Sequence, residues 1–250
     1  MKGKKSNLSL HAMMVPGMIF IVLFNLIPMF GLVMAFQNFL PAKGILGSKW
    51  VGLDHFRFMF QLPDSKQIFV NTLVIAVAKM ILNLLVPLVF ALMLNAVRNT
   101  GLKRGLQTIV YLPNFISWVI LGSIITDIFS KTGIINTLLM HLGIDPVIFM
   151  GSNTWFRPIV VLTDVWKGFG YNSIIFLSAL AGIDQELYDA AKVDGAGRFM
   201  QVIYITIPCL MPTIIIMLIL KMGKIFDVGY EKIMLLYNPA IYGTADVINT

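Results

Sequence analysis

The sequence predicts an all-α, polytopic helical membrane protein, and three observations carry that prediction. Apolar residues make up 58% of the 250 residues and charged residues 12%. A soluble protein carries about 25% charged residues, and so few charges do not build a water-facing surface. Disordered chains are polar and highly charged, so disorder is excluded as well. The apolar residues fall in continuous runs, long enough to cross a hydrocarbon core about 30 Å thick. The runs lack the alternation of a membrane strand, so helices rather than a barrel are expected.

Five spans follow in order. No Lys, Arg, Asp or Glu occurs from Ser6 to Ala42, and Ala12 to Phe36 reads as the first. It follows the basic start Lys2, Lys4 and Lys5 and lacks the short core and cleavage site of a signal peptide. The second runs from about Ile68 to Val97, with Lys79 as its one charge. The third is Leu106 to Phe129, the fourth Pro158 to Gly182, and the fifth Ile205 to Leu220. Pro28, Pro87, Pro113 and Pro212 lie in or near these spans, where neighbouring helices satisfy the freed carbonyls.

Net charge is +7, from 19 Lys and Arg against 12 Asp and Glu. The basic residues sit between apolar runs, which points to membrane topology and away from nucleic acid. Lys4 and Lys5 favour a cytoplasmic N-terminus, and Arg98, Lys103, Arg104, Lys192 and Arg198 then fall on the same side. The expected organisation is a cytoplasmic tail at 1–11, a membrane domain at 12–222 with a cytoplasmic loop at 183–204, and an external segment at 223–250. Five spans starting inside end outside, so a sixth span is expected beyond the last residue. Cys209 is the single cysteine and permits no internal disulfide.

The loop from Ile183 to Phe199 is the longest polar segment on the inner side. Asp184 suits a helix N-cap and Glu186 its positive first turn. Leu187, Ala190 and Ala191 share one face, and Asp194-Gly195 breaks the helix. A second short helix then leads to Ile207-Pro208. Such a loop is either a solvated connector or an insert for a groove on a cytoplasmic partner.

The residues Asp189-Ala190-Ala191, then Gly195, then Ile205-Thr206-Ile207-Pro208 resemble a motif of the permease subunits of binding-protein-dependent ABC importers. That motif is Glu-Ala-Ala, three residues, Gly, nine residues, Ile, any residue, Leu-Pro. Every spacing is kept here, with Asp for Glu and Ile for Leu. Asp194-Gly195-Ala196, Tyr111-Leu112-Pro113, the stretch Ala35 to Phe39 and Trp50 to Leu53 resemble the carbohydrate and polysaccharide branch.

The resemblance implies an ABC-importer permease (MetI-like) architecture with six core spans. It implies that Glu186, Asp189, Ala190, Ala191, Asp194 and Gly195, with Pro208 as a structural member, form the element that couples to an ATPase. The implied partners are an ABC ATPase dimer, a second and similar permease, an extracellular substrate-binding protein and membrane lipid. The implied location is the bacterial cytoplasmic membrane, and the implied cargo an oligosaccharide or sugar derivative. No cofactor is expected in this chain. It has no Gly-x-x-x-x-Gly-Lys-Ser/Thr loop to cradle phosphates, so ATP and magnesium are expected on the partner, and the chain is not expected to be an enzyme.

Ionisable residues at membrane depth are costly, and they are paired or line a path. Asp164 and Lys167 are three apart on one face of the fourth span and are expected to pair, with Lys79 as a further buried ionic group. Sugars need hydrogen-bonding groups and aromatic faces. Asn114, Ser117 and Trp118 on the third span and Trp166, Tyr171 and Asn172 on the fourth supply them as pathway candidates. Belts at the membrane interface and contacts between helices are the competing explanation. Two other functions remain open: an ion-coupled secondary transporter using Lys79, Asp127 or Asp164, and an ABC permease for peptides or amino acids. The first should show internal symmetry between its halves, and the sequence has none.

Overall fold

The computed structural model describes the backbone of residues 3–250 and side chains from Leu10 onward. Met1 and Lys2, and the side chains of Lys4 and Lys5, lie outside the described residues. The expected tail at 1–11 therefore falls largely there. The chain forms two units, 1–66 and 67–250.

In the first unit, α1 (Gly3–Ile21) continues through a π turn at Val22–Leu26, α2 (Ile27–Met29) and a 3-10 turn at Phe30–Phe36. Leu10 to Phe36 is long and apolar enough to cross a membrane. Pro28 accounts for the π turn. It has no N–H for the carbonyl four residues back, and its ring crowds that carbonyl, so the turn before it widens. Two short antiparallel strands follow, β1 (Gln37–Asn38) and β2 (Lys49–Trp50), with Gln37 opposite Trp50. They are joined through α3 (Gly44–Gly47), and α4 (Asp54–Gln61) comes next. Trp50 stacks on Phe36 with ring centres 5.8 Å apart.

The second unit is built on two long helices, α5 (Ser65–Ala96, which begins just before it) and α9 (Asn153–Ala181). Between them lie α6 (Thr100–Tyr111), α7 (Trp118–Ile128) and α8 (Ile134–His141). After α9 come α10 (Gln185–Val193), α11 (Arg198–Gln201) and α12 (Ile207–Met222). The chain ends in α13 (Tyr230–Leu236) and α14 (Tyr242–Ala245). Gly170 sets the approach of α9 to α6: a Cβ there would lie 2.3 Å from the carbonyl oxygen of Val110. Ile75, Leu121, Phe156, Val160, Ile233 and Ile241 form one apolar core, and Leu88, Ala91, Phe176, Leu180, Leu210 and Met217 form another. The outward faces stay apolar: Met93, Val119, Leu162 and Ile219 are all more than half exposed. In water that surface would drive aggregation, whereas in lipid it is solvated.

The structure corrects one of the expected spans. The third is not one straight helix: Thr100–Phe115 and Trp118–Ile128 meet at 102°. Pro113 sits in a 3-10 turn at Leu112–Phe115, Ile116 and Ser117 are extended, and Ser117 caps α7 by accepting from the Ile120 amide. The fourth expected span lies in the single helix α9, of 29 residues, in which Asp164, Lys167, Tyr171 and Asn172 interrupt the apolar run. By length and composition, three helices among the described residues qualify as spans, or four if the bent pair counts as one.

Candidate functional site

The polar loop forms two short helices, α10 and α11, set by local chemistry. Asp184 accepts the amide of Glu186 at 3.0 Å, which satisfies a free donor at the start of α10. Gly195 has φ of 79°, a conformation that costs any residue with a Cβ about 1–2 kcal/mol, and α10 ends there. The hydroxyls of Tyr188 and Thr206 lie 2.9 Å apart and fasten α10 to the root of α12. Gln201 donates to the carbonyl of Ala196 at 3.0 Å. A second π turn, Val202–Thr206, ends two residues before Pro208, just as the first ends before Pro28. Pro208 thus shapes the junction of loop and span.

This loop presents an open surface. Glu186, Asp189, Ala190, Asp194 and Gly195 are exposed and Ala191 is half-buried. Leu187, Val193 and Phe199 are exposed beside them, with Val193 at 88% and Phe199 at 78%. Asp189 pairs with Lys192 at 2.8 Å on the exposed face, a contact that adds little stability. The element is held by its own hydrogen bonds and shows a small-residue and apolar face outward.

A second feature lies among α5, α7, α9, α12 and α13. Asp164 on α9 is held by Lys79 of α5 at 3.2 Å and by Lys232 of α13 at 2.9 Å. Asn83 also donates to its second oxygen at 3.0 Å. Lys232 is fully buried and donates to the carbonyl of Val160 at 2.7 Å. The expected Asp164–Lys167 pair does not form. Three apart on a helix places the two side chains on one face, but the bend after Pro113 competes for the ammonium. Lys167 donates instead to the carbonyls of Pro113 and Asn114, at 3.4 and 3.2 Å, and of Ile116. These are acceptors freed where the helix breaks.

Two cavities of about 270 and 260 Å³ adjoin this cluster and share Asn83 and Lys221 in their walls. Asn114, Trp118, Asp164, Lys167 and Asn172 line the smaller one. Lys79, Lys224 and Asp227 line the larger. The Trp118 ring has Lys167 at 5.2 Å and Lys232 at 4.9 Å from its centre, so two ammonium groups use its π face. Ser117 serves as the cap of α7. Trp166 and Tyr171 are 46% and 50% exposed and line neither cavity. Helical rotation turns Trp166 away from the face that Asp164, Lys167 and Gly168 share, whereas Tyr171 lies on that face and packs edge-on against Phe115, with ring centres 6.4 Å apart.

Sequence reasoning passed over Asn83, Lys221 and Lys232. Asn83 follows Lys79 by four residues, so the two share a helix face, and that spacing was available. Lys221 ends an apolar run, and Lys232 lies 68 residues from its carboxylate partner, so neither had a local signal.

Comparison with known proteins places the chain. Residues 83–228 match the family described as binding-protein-dependent transport system inner membrane component. Over 251 aligned residues the chain is 39% identical to Protein LplB of Bacillus subtilis (strain 168), covering 100% of this chain and 79% of LplB. It is 40% identical to the polygalacturonan/rhamnogalacturonan transport system permease protein YteP of the same organism, covering 96% and 75%. A chain in the crystal structure of a bacterial ABC transporter that imports the acidic polysaccharide alginate superposes with a TM-score of 0.88. That chain is 40% identical, with 98% of this chain and 83% of it covered. The match sets aside the ion-coupled secondary transporter and any enzymatic role. The chain belongs to the family of binding-protein-dependent transport system inner membrane components, the membrane-embedded permease subunits of ABC importers.

Proposed function

We propose that this permease carries an oligosaccharide or sugar derivative across the cell membrane by alternating access. ATP and magnesium act on a separate ATPase dimer, which receives the α10–α11 loop in a groove. A second, similar permease completes the pathway, and an extracellular binding protein delivers the sugar to the side opposite the loop. The N-terminus is cytoplasmic, on the same side as the loop. The substrate pathway includes Asn114 and Asn172, with hydroxyl-bonding amides facing the cavity.

One observation carries the reading: α10 is fastened at Asp184 and at Tyr188–Thr206, yet exposes Leu187, Ala190 and Val193. A rigid helix with an outward apolar face suits transmission of a partner's movement to α12. The polygalacturonan/rhamnogalacturonan permease and the alginate importer among its relatives support the cargo class.

The test is co-purification of the permease with its ATPase, for the parent chain and for Asp189→Arg and Gly195→Trp. Capture of the parent and loss in both variants is expected. Failure of the parent to capture any ATP-binding subunit would end this reading.

A further inference from the structure

We infer that the membrane face of α5 and α9 holds one anionic phospholipid, with its phosphate on Arg157 and an acyl chain in the groove beside that residue. The inference goes beyond the transport reading and makes no assumption about the cargo.

The groove comes from two matched stripes. Val74, Ala78 and Leu82 follow at four-residue steps along α5, and Pro158 and Leu162 do the same on α9. Together they wall an open groove of about 390 Å³. Val74 and Leu162 are exposed at its rim. Arg157 is the one charged residue in its walls among the described residues.

Arg157 has more donors than the protein answers. A guanidinium carries five N–H donors and no acceptor. The Asn71 side-chain oxygen accepts from it. Asn71 is fully buried and is fixed by the Gln67 amide and by the carbonyls of Gly243 and Asp246, so it anchors the arginine firmly. The Nε atom of Arg157 is buried and has no acceptor. Among the described residues no carboxylate forms a salt bridge with it. Asp246, the acid in this network, gives Asn71 its backbone carbonyl and accepts the Tyr237 hydroxyl on its carboxylate.

The arginine also lies at the right depth. Arg157 is the fifth residue of α9, 24 residues before the helix ends at Ala181. At 1.5 Å per residue that distance is about 36 Å, a little more than a hydrocarbon core of about 30 Å. With the α10–α11 loop at one membrane surface, Arg157 therefore stands at headgroup level on the other. Trp155, exposed two residues earlier, suits the same interface.

A packed protein helix would cover the apolar stripes and bring Arg157 no anion of its own. A free phosphate ion would meet Arg157 and leave the groove empty. A phospholipid answers both. Its phosphate accepts charge-assisted hydrogen bonds from the planar guanidinium, and its chain fills the groove. A net negative headgroup completes the charge balance, which a zwitterionic one does not.

The experiment is native mass spectrometry of the complete importer, delipidated in detergent and titrated with dioleoyl-phosphatidylglycerol or dioleoyl-phosphatidylcholine. The tightest site of the parent should prefer phosphatidylglycerol about tenfold, as expected for one charged hydrogen bond. Arg157→Gln should abolish that preference, and Arg157→Lys should keep part of it. Leu162→Trp fills the groove with Arg157 in place and should weaken phosphatidylglycerol binding. Arg57→Gln, in the first unit, should change nothing. Melting temperature and co-purification of the ATPase report which variants are folded, and the parent and Leu162→Trp decide the matter if Arg157→Gln is not. Equal affinity of the parent for the two lipids, an undiminished preference in folded Arg157→Gln, or unchanged binding in Leu162→Trp overturns the site. Competition by soluble glycerophosphoglycerol, which has the headgroup and no chains, at the lipid's own affinity would show a phosphate site and overturn the lipid.

Discussion

Lys232 places its ammonium 2.9 Å from the carboxylate of Asp164, 68 residues earlier in the chain. The lysine is fully buried, and Lys79 approaches the same oxygen from α5 at 3.2 Å. One carboxylate therefore ties α5, α9 and α13 together. Burying three charges is costly, and the arrangement persists because each ammonium has a partner.

That balance predicts a non-additive mutant cycle. Asp164→Ala leaves two buried ammonium groups without an anion and should destabilise the protein by about 3–5 kcal/mol. Lys232→Met alone frees only part of the carboxylate, since Lys79 and Asn83 remain. Asp164→Leu combined with Lys79→Met and Lys232→Met should recover much of the loss, because the apolar triple substitution removes every stranded charge. Thermal unfolding of the purified variants in detergent gives the cycle, and simple additivity of the losses would contradict the account.

Lys167 caps a break rather than balancing an acid. Lys167→Met should loosen the turn at Leu112–Phe115, since its carbonyls lose their donor, at a cost of about 1–3 kcal/mol. Hydrogen exchange should rise at residues 116–121, while exchange in α10 and α11 stays unchanged. Exchange confined to the Asp164 neighbourhood would point to the ion pair that the sequence suggested.

Gly170 is a packing constraint between α6 and α9. A Cβ would meet the Val110 carbonyl carbon at 2.7 Å as well as its oxygen, and backbone does not yield as a side-chain tip does. Gly170→Ala should lower the melting point and the yield of folded protein. Gly168→Ala is the control, since its nearest neighbour is the Asn172 side-chain amide at 3.3 Å. Similar losses in both would argue against a specific helix contact.

Gly195 ends α10 with positive φ and open space around it. Gly195→Ala should therefore cost about 1–2 kcal/mol through the backbone alone, whereas Gly195→Asn should cost less. Capture of the ATPase should follow the same order: parent, then Asn, then Ala. Equal capture by all three would show that the loop tolerates a different exit from α10.

The elements that the sequence made legible are those with local causes. Apolar run length located α5, α12 and the Leu10–Phe36 helix. Asp184 and Asp194-Gly195 delimited α10 to the residue, because a cap and a left-handed glycine act within one turn. The spacing from Asp189 to Pro208 pointed to the permease family, which the 83–228 match then established. The polar residues that line the smaller cavity were half legible. Asn114, Trp118 and Asn172 were named from their chemistry and share a cavity wall. Trp166 and Tyr171 carry the same chemistry and line neither cavity.

By itself, then, the sequence determined that the chain is a helical membrane protein, where its long helices run, and how the loop between α9 and α12 turns. Composition, run length, caps and glycines govern those features over a few residues. Only the tertiary structure decided which lysine meets Asp164, how the third expected span bends by 102°, and that Lys221 joins Asn83 in the walls of two cavities. Those outcomes depend on groups distant in the chain competing for one acceptor in a medium of low dielectric constant. There the Pro113 break outbid Asp164 for Lys167, and a buried lysine from the last segment took its place.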